Sequence, residues 1–157
     1  MATSSLGHLT CSMALLMHLL SFHQVSPSFL DLVFSFGNTF MPKDFSLMGF
    51  QCEDTLSSPE DELLQIPRLG RRGPELRLCY MLRGAERSDT DGWRIRQAAV
   101  YHSFAVATGT AFWITIKGND VLKQRMEAVT SELPQLERRD VNSAFAASLA
   151  THLIVLE

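Results

Sequence analysis

The sequence predicts an α/β protein of the α+β kind, with a mainly antiparallel sheet flanked by helices at both ends of the chain. Three observations support this fold class. Residues 75–83 alternate apolar and other side chains with the period of two that strands have. Residues 94–117 read as a central hairpin with a turn at Thr108-Gly109. Apolar side chains recur at helical spacing near both termini.

Length and composition restrict the class of protein. The chain has 157 residues, 46% of them hydrophobic and 20% charged, which favours one globular domain over a disordered chain. A net charge of −3 does not call for a nucleic-acid or membrane partner, and we expect no nucleic acid among its partners. The three cysteines are far apart and lack zinc spacing, so we expect reduced thiols in the cytoplasm and no metal site.

Two apolar helices are predicted near the N-terminus, over about 9–23 and 27–36. Five residues share one face of the first: Leu9, Met13, Leu16, Met17 and Leu20. Four share a face of the second: Phe29, Leu30, Val33 and Phe34. Ser26-Pro27 suits the start of the second helix, and Gly37 its end. We expect both faces to pack in the core, with a partner-binding face as the alternative. The apolar run 13–22 is too short to span a bilayer and lacks the flanks of a signal peptide.

The middle of the chain contains a loop and then the sheet. Prolines and glycines interrupt residues 38–75, and the acidic part, 51–66, is expected to form an exposed loop. We predict strands over 76–83, 94–104 and 111–117, with a turn at 88–92.

Two more helices are expected after the sheet. The first begins near Asn119 or Asp120. Its buried positions are Leu122, Met126, Val129 and Leu133. The second begins at Asp140, with Val141, Phe145, Leu149 and Leu153 inward. It has no stop signal before Glu157, so we expect a single domain, 1–157, that is truncated at its C-terminus.

Catalytic and cofactor signatures are absent from the sequence, which contains no GxSxG, HExxH, P-loop or complete GxGxxG motif. His102 and Ser103 are adjacent in a predicted strand, so their side chains point to opposite faces and cannot pair with each other. We therefore expect no enzyme activity and no cofactor, and we interpret His102 as a structural or hydrogen-bonding residue.

Arginines form the one candidate binding cluster. Eight of the eleven lie between Arg68 and Arg96, on or near two predicted strands. The phase of those strands favours one surface for four of them: Arg77, Arg83, Arg94 and Arg96. Guanidinium groups hold phosphates and carboxylates bidentately, so this surface would suit an anion or an acidic protein partner. The alternative is a solvated face, paired internally with the acids of 53–62.

The hairpin sequence WRIRQAAVYHSFAVATGTAFWITIKGN, residues 93–119, resembles the fungal CorA-like transporter proteins. The resemblance extends over about 24–157. We treat seven residues of the hairpin as structural signature positions: Trp93, Gln97, Tyr101, His102, Phe104, Gly109 and Trp113. The family implies a soluble cytosolic α/β domain that precedes two membrane helices in full-length members. Ala105 and Thr110 stand where relatives tend to carry an acid and an arginine.

The resemblance leads to two main functional hypotheses. The first is a soluble regulatory or sensing domain of a CorA-like metal ion transporter, cytoplasmic or held at the membrane through a full-length partner. This chain lacks the Gly-Met-Asn signature and any transmembrane run, so we expect it not to transport ions alone. The second is a stand-alone interaction or anion-binding module, which could also form homo-oligomers. An enzyme is a third, less favoured alternative.

Overall fold

The computed structural model describes residues 11–36, 49–58, 73–88 and 92–116, together with the helical residues 123–124, 127–128, 145–146, 148–149 and 151–152. These residues include two helices, α1 (Met13–Phe22) and α2 (Ser28–Phe34). They also include four strands, β1 (Phe50–Asp54), β2 (Glu75–Ser88), β3 (Gly92–Ala105) and β4 (Thr110–Ile116).

The four strands form one antiparallel sheet in the order β1-β2-β3-β4, which confirms the predicted fold class. The long hairpin of β2 and β3 has 14 residues in each strand, and just past its open end the Val106 N–H donates to the Pro74 carbonyl at 3.0 Å. Residues 106–109 connect β3 to β4. Gly109 closes this turn at φ 64°, where its N–H donates to the Ala105 carbonyl at 2.9 Å. The predicted glycine turn is therefore present.

Strand β1 was not predicted. Residues 51–54 were expected to begin an exposed acidic loop, and they are exposed, but they form an edge strand. All five β1 residues are exposed, and the strand has only two apolar positions, Phe50 and Cys52, which are too few to indicate a strand by periodicity. Thr55 follows it and accepts a hydrogen bond from the Glu75 N–H through its hydroxyl at 2.8 Å. Residues 59–66 of the expected loop lie outside the described part of the chain.

The described residues divide into two compact units, and the first contains α1, α2 and residues 79–101. Its core includes the buried α2 residues Phe29, Leu32 and Val33. The Phe29 ring centroid lies 5.4 Å from that of Tyr101 in β3. The helix begins at Ser28, slightly later than expected, and Gly37 lies outside the described residues. Of the predicted face, Phe34 is exposed and Leu30 is only partly buried, so that face was partly wrong.

Helix α1 begins after Ser12, whose hydroxyl accepts a hydrogen bond from the Leu15 N–H at 3.2 Å. Its predicted core face is partly wrong, because Met13 is 65% exposed and Met17 is also exposed, whereas Leu16 is partly buried and Leu20 is buried. Apolar side chains surround much of α1, so periodicity alone could not show how little of it meets the core. Leu9 lies outside the described residues.

The second unit includes residues 73–78 and 102–114 and the helical residues near the C-terminus. Phe145 was expected to point inward, and its ring centroid lies 5.3 Å from that of Phe104. Leu149 was also expected inward, but it is 46% exposed. The buried positions of this helical segment are instead Ser148, Thr151 and His152. The expectation failed for Leu149, because the described buried positions here are polar and show no apolar periodicity.

Other residues of the expected C-terminal helices are outside the described part: Leu122, Met126, Val129, Leu133, Val141 and Leu153. Lys123 and Glu127 are helical, and their charged groups approach to 3.8 Å at i,i+4 spacing. None of the described helices is long and apolar enough to cross a membrane.

Candidate functional site

A buried histidine network occupies the second unit, and we define it as His102, Ser148, His152 and Trp113. His102 lies in β3 and uses both ring nitrogens. Its Nε2 is 2.6 Å from the Ser148 hydroxyl, and its Nδ1 is 2.9 Å from His152 Nε2. Ser148 and His152 are one helical turn apart, which allows both to reach the same imidazole. His102 is 1% exposed and Ser148 is 4% exposed, so both contacts are shielded from water.

Trp113 of β4 contacts both histidine rings. Its ring centroid is 4.2 Å from that of His102 in a stacked arrangement, and 4.4 Å from that of His152 at an interplanar angle of 51°. The two histidine rings meet edge to face, with centroids 4.7 Å apart. The indole therefore limits how either ring can turn, and it encloses their hydrogen bonds.

The number of protons determines whether this network can form. A neutral imidazole has one N–H donor and one acceptor nitrogen, so the contact between His152 Nε2 and His102 Nδ1 requires one proton between the two atoms. Ser148 can either donate to or accept from His102 Nε2, which satisfies both tautomers of His102. If both histidines were charged, two N–H groups would face each other and this hydrogen bond would be lost.

Electrostatics favours the neutral network. The pKa of His102 falls from 6.5 to about 3, chiefly because burial disfavours the charged ring and secondarily because of His152. Burial also lowers the pKa of His152. The network is thus held in its neutral form at physiological pH.

The chemistry available to the network follows from its enclosure. A serine on one nitrogen of a histidine, with an orienting group on the other, is the arrangement that activates serine nucleophiles. Here the Ser148 hydroxyl is buried in the contact between helical residues and strand, so a substrate would have no direct approach to it. The arrangement is suited to holding a proton between the two histidines while it joins β3 to the described helical residues between 145 and 152.

The signature positions predicted from sequence lie in different surroundings. His102 and Trp113 meet in the histidine network. Tyr101 contacts Phe29 in the first unit, and Phe104 contacts Phe145 in the second. Trp93, in contrast, is 74% exposed. Gln97 is partly buried, and Gly109 lies in the turn before β4.

Ser148 and His152 were missed by the sequence analysis, although the structure places both on His102. The available signal was S-x-x-T-H at 148–152, which puts three polar side chains on one face of a helix at i, i+3 and i+4. Such a face usually points to solvent, so it could not be assigned to the core without knowing that His102 lay opposite.

The arginines are only partly described. Arg77 is engaged internally: its guanidinium donates to Glu75 Oε2 at 2.9 and 3.1 Å, and its Nη1 lies 4.0 Å from Glu53 Oε2. Arg83 Nε is buried and has no hydrogen-bond partner in the described structure. The side chains of Arg94 and Arg96 lie outside the described residues. A common surface for all four arginines therefore stays a prediction. Among the described side chains, no group of three or more His, Cys, Asp or Glu could hold a metal ion.

Comparison with known proteins identifies the family. The model of the CorA-like transporters matches residues 1–157, which is the whole of this sequence. No curated protein and no solved structure matches it significantly. The hairpin that suggested the family also supplies His102 and Trp113 to the histidine network. Since the family model covers the full sequence, the chain belongs to the CorA-like transporter family.

Proposed function

We propose that this chain is a soluble regulatory or sensing domain of the CorA-like type, that it works in the cytoplasm, and that it transports no ions by itself. The observation that supports this role is the histidine network, which joins β3 to the helical residues 145–152 through buried hydrogen bonds. In the full-length proteins that the chain resembles, two membrane helices follow this domain. By that resemblance, residues 145–152 are the described helical part nearest in sequence to the pore.

A regulatory connection of this kind requires two discrete states, which for this network would be the intact and the separated arrangement. When intact, its donors and acceptors are paired away from water. When it separates, the buried polar groups must find other partners or be hydrated, at a cost of about 1–3 kcal/mol for each group left unsatisfied. An element with two such arrangements can transmit a change from the sheet to the helical residues, whereas a continuously deformable contact would absorb it.

Magnesium uptake tests both parts of the proposal. Cells depleted of magnesium transport are expected to show no recovery of uptake when they produce this chain alone, because ion flux requires a pore across the bilayer. In cells that also produce a CorA-like pore protein, the chain is expected to change the uptake rate. The His102→Ala variant, which removes the centre of the network, is expected to have a weaker effect at equal protein level.

The control is His18→Ala, which removes an exposed histidine of α1. It should act on uptake as the original chain does. Uptake restored by the chain alone would contradict the statement that it does not transport. Identical uptake with and without the chain, in the presence of the pore protein, would contradict the regulatory role.

A second candidate function is anion binding by Arg77, Arg83, Arg94 and Arg96, with phosphate or an acidic protein segment as the ligand. One observation favours it: Arg83 Nε is buried and has no acceptor within the described structure. An N–H donor in that position gains from an acceptor supplied by a ligand. The carboxylates on Arg77 count against a site that uses all four residues.

A binding titration distinguishes this candidate. Inorganic phosphate, a nucleotide and an acidic peptide are added in turn to the original chain, to the Arg94→Ala, Arg96→Ala double variant and to Arg83→Ala. We expect weak binding that decreases as salt rises, because exposed charges are screened over about 10 Å at 0.1 M, and we expect weaker binding by both variants. Lys123→Ala is the control, since it removes an exposed cation that pairs with Glu127. If no ligand binds at low salt, or all variants bind equally, these arginines do not form an anion-binding site.

A further inference from the structure

The histidine network contains two titratable groups in direct contact, and it is the best-defined polar cluster outside the predicted arginine surface. Among the described helical residues, the titratable group in contact with His102 is His152, and in addition to burial its charge would lower the pKa of His102. From β4, the contact is the indole of Trp113, which does not titrate. Ser148 also carries no charge at physiological pH. Within the described network, the groups that titrate near physiological pH are therefore the two histidines.

Protons act on the network in two steps. A first proton, on either histidine, would leave one donor and one acceptor across the contact between the rings, and the Ser148 hydroxyl could still accept from His102 Nε2. That step places a charge in a site with little water. A second proton, on the other histidine, would set two N–H groups against each other across the present 2.9 Å contact. The intact geometry thus accommodates one proton poorly, and two protons break it.

We propose that uptake of two protons by His102 and His152 separates the helical residues 145–152 from β3, so that this contact is an acid-operated switch. The inference rests on the proposed function, for which it identifies the proton as the regulating ligand. The switch would be closed at neutral pH and would open as the surroundings become acidic.

The sign of the effect follows from linkage between protonation and opening. Both histidines have lowered pKa values in the closed network, and once hydrated they regain values near 6.5. Well above pH 6.5 neither state binds a proton at these histidines, so opening does not depend on pH through them. Below pH 6.5 the open state binds protons that the closed state rejects. At pH 5 the ratio of open to closed molecules is expected to rise about 30-fold through His102, relative to pH 7.5, and proton uptake by His152 should raise it further.

Amide hydrogen exchange of the isolated chain measures this opening between pH 7.5 and 5. Over this range most carboxylates remain ionised. After correction for the pH dependence of exchange chemistry, exchange at residues 145–152 should increase by more than about 30-fold if both histidines take up protons. A Trp93→Phe variant leaves Trp113 as the one tryptophan of the chain. Its emission should change over the same pH range, because the two imidazoles in contact with Trp113 become charged.

Two histidine substitutions distinguish this switch from general acid destabilisation. His152→Gln retains a hydrogen-bonding nitrogen at the position of Nε2 but cannot titrate. Opening of the contact should therefore depend on the uptake of one proton in this variant, instead of two in the original chain. His18→Gln is the matched control, because its histidine is exposed on α1, and it should retain the two-proton dependence. Equal pH dependence in His152→Gln and the original chain would overturn the proposal.

If His152→Gln does not fold, the original chain can still be tested by NMR. The chemical shifts of the histidine ring nitrogens report the protonation of each imidazole. Protonation that coincides with faster exchange at 145–152 supports the switch. Protonation without faster exchange overturns it. If pH does not open the contact but His102→Ala still alters the effect on magnesium uptake, the proton inference fails and the regulatory function stands. If pH opens the contact but the chain never affects uptake, the regulatory function fails alone.

Discussion

Replacing Phe29 by alanine is expected to lower the free energy of unfolding by about 3–5 kcal/mol. The side chain is fully buried in α2, and its ring contacts that of Tyr101 in β3. Alanine would remove most of the buried apolar surface of this residue and leave a cavity, because close-packed surroundings collapse only partly. Urea denaturation, followed by circular dichroism, measures the change.

Phe34 provides a matched control in the same helix. It is 62% exposed, so Phe34→Ala removes the same atoms without emptying the core, and a loss within about 1 kcal/mol is expected. Similar losses for both variants would mean that Phe29 does not anchor α2 in the first unit.

His102→Ala is expected to cost about 2–4 kcal/mol at pH 7.5. The substitution removes a fully buried ring that stacks on Trp113, and it takes away the hydrogen-bond partner that Ser148 and His152 share. Both a cavity and unsatisfied polar groups contribute to the loss. Ser148→Ala, which removes one hydroxyl, should cost less than His102→Ala.

Comparison at two pH values separates packing from protonation in this experiment. Since the pKa of His102 is lowered from 6.5 to about 3, its contribution to stability is complete above pH 6.5 and decreases by about 2 kcal/mol on going down to pH 5. The difference between the original chain and His102→Ala should therefore shrink at pH 5. His18→Ala, on exposed α1, should show no such change, and an undiminished difference for His102→Ala would contradict the lowered pKa.

The exposed apolar surface of α1 shows that apolar periodicity predicts a helix but does not show which of its side chains are buried. Its spacing correctly predicted a helix near this position, because local sequence favours one backbone conformation. Whether Met13 and Met17 are covered depends on what packs against them, and in this structure they remain exposed. Ser148, Thr151 and His152 show the opposite error. A helix was expected here, but these polar residues were not expected to be buried.

The sequence by itself determined the class of fold, the hairpin with its glycine turn, and the CorA-like membership that the family comparison supports. These features depend on local signals, namely alternation along strands, a glycine at the turn position that has positive φ, and a contiguous motif. Only the tertiary structure showed the edge strand β1 and the hydrogen bonds of His102 with Ser148 and His152. The physical reason is separation along the chain: a hydrogen bond between residues 46 or 50 positions apart leaves no periodic trace in the sequence, and it exists only where folding brings the strand and the helical residues together.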